Sequence, residues 1–268
     1  CAKPTWARPR DRGAGAGPQA STTVSEAPPA SAPPTRVPRT VPAAHALEWF
    51  SVAMRLWRRG PLTFCAFALA VVVASVVLEQ VPVAGAVAAH VLAPLLACGL
   101  LYASLAADRG DRPRSMHLVA VFAAPLPAQA AVVAGGLVPL AVEAIVAWSV
   151  AGVNVLLPLP DAAQLSAGAI AVIYAAGVAA SLPVTFVPMA ALFDGEPFAR
   201  AFATSLAAFA RNVPALAAYA AFSFVLLAIG IATSGLGLLL ALPWIAAASY
   251  AAWKDVFAVG AWKLGSEL

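Results

Sequence analysis

Few side chains in this chain could do chemistry, and the most conspicuous is Glu143, in the stretch LVPLAVEAIVAW (137–148). A carboxylate among apolar residues either faces a bundle interior or cavity, or lies close enough to a membrane face to reach headgroups and water. His90, in AVAAHVLAP, and Tyr174, in AVIYAAG, occupy comparable settings. If the three share one layer, Glu143 could hydrogen-bond to His90, and acid, imidazole and phenol could line a small outward-facing cavity. They form the candidate polar cluster.

Other chemistries find no support in the residue pattern. His45, His90 and His117 are widely separated and no HExxH occurs, so no metal site is predicted. Neither GxSxG nor a Walker motif is present; AGAG near the start belongs to a low-complexity tail, with no strand before it. Cys65 and Cys98 sit inside apolar runs as small hydrophobes, and no CxxC spacing occurs. No catalytic residue and no cofactor are predicted. Trp49, Trp57, Trp148 and Trp253 fall near the ends of apolar runs, where they read as interface anchors and not as stacking platforms for bases. Nucleic acid is therefore not an expected partner.

The elements that must position these groups follow from composition. Of the 268 residues, 62% are hydrophobic and 10% charged, against about 25% charged in a soluble domain. Lipid is the expected solvent. About 20 apolar residues cross a bilayer core, and six spans are predicted: 62–79, 83–106, 128–149, 167–192, 213–233 and 236–252. About 1.5 Å of rise per residue puts Glu143 about 22 Å from the inner edge of the third span, near the outer boundary of a ~30 Å core. Pro183 and Pro188 should bend or loosen the fourth span. Residues 1–44, rich in Pro, Ala, Ser and Arg, are predicted to be disordered. Residues 45–258 form the membrane domain, and 259–268 a short cytoplasmic tail.

Two stretches are amphipathic at helical spacing. In HALEWFSVAMRLWRRG, Leu47, Phe50, Met54 and Trp57 share one face, with Glu48, Arg55 and Arg59 on another. In PFARAFATSLAAFARN, Phe198, Phe202, Leu206 and Phe209 share a face opposite Arg200 and Arg211. Both are predicted to lie in the membrane interface. Each is followed shortly by a proline, Pro61 or Pro214, placed to start a span. APLLACGLLYASLAADRG and LPWIAAASYAAWKDVF match in turn: an early proline, then a tyrosine, then charge at the exit. HLVAVFAAPLPAQ and SLPVTFVPMAALFDGE supply a looser middle pair. The fold class expected is all-α: a polytopic helix bundle of three units, each an interface helix plus a membrane hairpin.

Basic residues set the orientation. They cluster before the first span, in the loop with Arg109, Arg112 and Arg114, in the segment with Arg200 and Arg211, and at Lys254 and Lys263. None falls in the loops after spans one, three or five. The positive-inside rule puts both termini in the cytoplasm.

VPVAG, LAPLLACGLLYASLAADRG, VPMAALFDGEPFARAFATSLAAFARNVPALAAY and LPWIAAASYAAWKDVF together resemble an uncharacterised family of six-span inner-membrane proteins of Burkholderia-like and related proteobacteria. The resemblance covers about residues 46–258 and implies an inner-membrane location. It brings no catalytic motif. More distantly, the chain is similar to the membrane segment attached to some glycerophosphodiester phosphodiesterases; their soluble domain, with its His and acidic metal ligands, has no counterpart here. The leading expectation is a structural or accessory envelope protein, with membrane lipids and other envelope proteins as partners and no enzyme activity. The alternative is a transporter or channel for a small solute or lipid, with Glu143 and His90 in its path. A reporter fused to the C-terminus should be active only in its cytoplasmic form; a periplasmic signal would reverse the orientation.

Overall fold

A computed structural model describes residues 36–81, 84–154 and 165–260. Residues 1–35, most of the expected disordered tail, and 261–268, most of the expected C-terminal tail, lie outside them. The described residues form α1 (His45–Arg58), α2 (Pro61–Glu79), α3 (Ala84–Asp108), a 3-10 segment (Ser115–Ala123), α4 (Leu126–Ala151), α5 (Ala167–Ser181), a 3-10 turn (Leu182–Val184), α6 (Val187–Leu192), α7 (Phe198–Arg211), α8 (Val213–Ala232) and α9 (Leu238–Val256). No strand occurs among them.

Local chemistry sets several boundaries. α2 and α8 carry proline in their first turn, where a missing N–H costs no helical bond. The Ser166 hydroxyl caps α5 by accepting from the Ala169 N–H. α4 stops at Gly152, whose φ of 64° suits a left-handed helix terminus.

Five stretches are long and apolar enough to cross a membrane: Pro61–Leu78, Val87–Asp108, Leu126–Ala151, Ala167–Leu192 and Val213–Ala232. In the first, only 22% of the residues are buried inside the protein although the mean hydropathy is 2.5. So much exposed apolar surface calls for an apolar surrounding.

α9 occupies the place of the sixth expected span but is not among these five. Burial explains why. α9 packs against α1, α2, α3 and α8, and every residue from Ala247 to Val256 is buried. A helix enclosed by other helices needs no lipid-facing stripe. It can therefore carry Ser249, Tyr250, Lys254 and Asp255, which lower its hydropathy.

The surface helices divide their residues between a buried face and an exposed one. α1 buries Ala46, Trp49, Val52, Ala53 and Leu56, while Leu47, on the neighbouring apolar face, stays exposed. α7 buries Ala201, Ser205 and Ala208 and leaves Phe198 and Leu206 exposed. The apolar arc of α1 is thus wider than the face of Leu47, Phe50, Met54 and Trp57 alone, and within that face Phe50 stacks on Tyr219 and Trp57 packs against α2 and α3, so Leu47 is its exposed member. The packing follows a pattern, α1 against α9, the 3-10 segment against α3, and α7 against α6.

The fourth expected span is interrupted. α5 ends at Ser181, and α6 resumes at Val187, because Pro183 and Pro188 supply no N–H. α7 repairs the gap. The buried Ser205 hydroxyl donates to the Pro183 carbonyl (2.7 Å) and accepts from the Phe186 N–H (3.1 Å). A neighbouring helix thereby satisfies backbone groups that water cannot reach.

Residues 36–44, assigned by composition to the tail, are held by the bundle. Asn212, fully buried at the α7–α8 junction, accepts from the Val41 N–H (2.8 Å) and donates to the Arg39 carbonyl (2.9 Å). Arg211 donates to the Pro38 carbonyl (2.7 Å).

One close approach of backbone to backbone tests the packing. A Cβ on Gly99 of α3 would lie 2.7 Å from the Leu118 Cα in the 3-10 segment. Gly99→Ala should lower stability by about 1–3 kcal/mol, as overpacking against backbone does. Gly168→Ala, where the nearest atom is Ser166 Oγ at 3.9 Å, should change it by less than about 1 kcal/mol. Thermal unfolding in detergent checks both.

Candidate functional site

Two polar regions stand out, one at mid-depth and one at the basic end. The first surrounds a cavity of about 340 Å³ between α3, α4, α8, α9 and the α5–α6 break. Pro94 inside α3, Pro139 inside α4 and Pro188 in the first turn of α6 all line it. Pro94 and Pro139 deprive the carbonyls of His90 and Gly135 of their helical donors. The wall is mostly apolar, with Ser181, Thr185, Tyr219 and Ser249 as its hydroxyl groups. All four donate to the backbone: Ser181 to the Val178 carbonyl (2.7 Å), Thr185 to that of Ser181 (2.9 Å), Tyr219 to that of Ile245 (3.2 Å) and Ser249 to that of Ala246 (2.8 Å).

The sequence-predicted cluster borders this cavity. Glu143, His90 and Gly177 each lie one helical turn from a lining residue, Pro139, Pro94 and Ser181, always away from the basic end. The Glu143 side chain rests on α5, where a Cβ at Gly177 would lie 1.8 Å from its Oε1. His90 is within electrostatic reach of that carboxylate. Tyr174 is 43% exposed and lines a different space, a groove between α5 and α8 shared with Ile170, Phe224 and Leu227. The acid and the imidazole therefore come together at one rim, and the phenol stands at the neighbouring helix boundary.

The second region gathers charges at the ends of α3, α6 and α9. Every Lys and Arg among the described residues lies at this end of the bundle. The Asp255 carboxylate, fully buried, accepts from Trp49 Nε1 (2.9 Å), from His45 Nδ1 (2.7 Å) and from an Arg39 guanidinium nitrogen. Arg39 Nε also donates to the Asp255 carbonyl (2.7 Å). Asp108 accepts from the Tyr250 hydroxyl (2.9 Å) and from Lys254 Nζ (2.5 Å). Asp194 pairs with Arg36 (2.8 Å) and accepts from Trp253 Nε1 (3.2 Å). Burial pushes the Asp194 carboxyl above its usual range, while Arg36 and the Trp253 N–H pull it back. Phe193 stands between Tyr102, Tyr250 and Trp253 at ring distances of 5.3, 6.2 and 5.7 Å.

Sequence reasoning treated these charges as markers of orientation and missed their convergence. A signal was present: each exit segment ends with an acid soon after an aromatic residue, as in Tyr102 and Asp108, Phe193 and Asp194, and Trp253 and Asp255.

Comparison with protein-family models, with curated proteins and with solved structures finds no match for this chain.

Removing the Asp255 carboxylate strips the buried Trp49 N–H and the partly buried His45 of their acceptor, while Arg39, about half exposed, can turn to water. Asp255→Ala should lower stability by about 1–3 kcal/mol, the usual cost of leaving a buried donor unsatisfied. Thermal unfolding in detergent measures the loss, and faster proteolysis around residues 36–44 would locate it.

Proposed function

We propose that this chain is a six-span protein of the bacterial inner membrane, with both termini in the cytoplasm, that binds and carries a small amphipathic solute or lipid. α9 is the sixth span, crossing inside a sheath of the others. Three units, each an interface segment followed by a hairpin, build the bundle. Their packing supports this reading: every interface segment rests on the exit helix of the preceding unit, and α1 closes the ring on α9.

One observation carries the binding role: the mid-depth cavity of about 340 Å³, at the lower end of the ~300–1,000 Å³ typical of ligand pockets. Helices interrupted by proline are used in membrane carriers to shape such sites. An apolar wall with a few hydroxyl groups suits an amphipathic guest better than a bare ion, and Glu143 with His90 supplies a polar contact at the rim. A purely accessory envelope protein calls for a filled bundle, so the cavity weighs against that reading. No catalytic activity is proposed.

Lipid and metabolite analysis of the protein purified from native membrane provides the test. A recurring small amphiphile should co-purify. Ala97→Phe, which projects a ring into the cavity, should remove it from a still-folded protein, and Glu143→Gln should reduce its occupancy severalfold. A consistent partner protein with no bound amphiphile would instead establish the accessory role.

A further inference from the structure

The polar cavity at the basic end has no part in the binding role proposed above. It measures about 480 Å³, and Arg36, Asp108, Arg109, Tyr102, Trp253 and Lys254 contribute to its wall. Its charges do not cancel. Arg36 is matched by Asp194 and Lys254 by Asp108. Arg109 is exposed, and no carboxylate pairs with it among the described residues. Tyr102, two helical turns earlier on the same face of α3, has a hydroxyl that makes no hydrogen bond among the described residues. The wall thus presents one surplus cation and an unused hydroxyl donor, beside an ammonium group already fixed by Asp108.

We infer that this cavity binds a phosphate ester carrying a single negative charge, with Arg109 as its main ligand and Tyr102 and Lys254 as flanking donors. The charge balance selects the class. A phosphodiester carries one negative charge and neutralises one guanidinium, which can hold two of its oxygens at once. A carboxylate would match the charge, but it lacks the tetrahedral spread of oxygens that donors from both α3 and α9 could share. Position agrees. The cavity opens where the apolar helices end and the basic residues gather, the depth at which headgroup phosphates sit; basic pockets between membrane helices on the cytoplasmic side bind anionic headgroups. A phospholipid headgroup and a soluble glycerophosphodiester share this chemistry.

The test uses the full chain in an uncharged detergent and follows its melting temperature. Three probes are titrated: short-chain phosphatidylglycerol, glycerophosphoglycerol (its soluble, singly charged diester headgroup), and the matching diacylglycerol without phosphate. Short-chain phosphatidylglycerol should stabilise the protein. Arg109→Gln should weaken its apparent affinity about tenfold, as loss of a charged hydrogen-bonding partner does. Arg200→Gln, on α7 and outside the cavity wall, should leave it unchanged. Equal stabilisation by glycerophosphoglycerol would keep the site and assign it to a soluble ester. The inference fails if neither phosphate probe stabilises the protein, if diacylglycerol does so equally well, or if Arg200→Gln weakens binding as much as Arg109→Gln.

Discussion

A single carboxylate organises the basic end of the molecule. Asp255 has no water around it, and an unpaired charge there would be costly. It is tolerable because donors from two other segments reach it: His45 and Trp49 from α1, and Arg39 from the stretch before α1. Those bonds fix α1 against α9 and draw residues 36–44 across the helix ends. From there the stretch reaches Asn212 and Arg211, which tie it to α7 and α8. The acid thus sets the positions of surface helix, preceding segment and central helix together.

The same constraint, that polar groups must be satisfied without water, runs through the apolar part. Ser205 serves the break around Pro183, and Tyr219 serves the Ile245 carbonyl. The α5–α6 break beside the central cavity is tolerated because α7 supplies its partners.

Much of the helical pattern was legible in the sequence, because apolar runs and their prolines report directly on length and starting points. The proline break in the fourth stretch also followed from spacing. The role of α9 did not. A sliding hydropathy count assumes that a span faces lipid, and α9 faces protein. Residues 36–44 were misjudged for a related reason: composition registers how little they can bury but not the buried Asn212 and Asp255 that bind their backbone and side chains. Tyr174 shows the limit of depth arguments, since equal depth on two helices does not bring side chains to one side. The charge cluster at the basic end joins residues as distant in sequence as Arg39 and Asp255, and no local pattern pairs them.

The continuous burial of α9 from Ala247 to Val256 bears on how this protein can change over time. α2 has a broad outer surface on which one aliphatic residue can replace another at little expense. Ala247, Ala248, Ala251 and Ala252 have no such freedom, because a larger side chain at any of them meets a neighbouring helix. Diversity among descendants of this chain should therefore collect on the outward faces of the peripheral helices, leaving the innermost one as the slowest part of the molecule to drift.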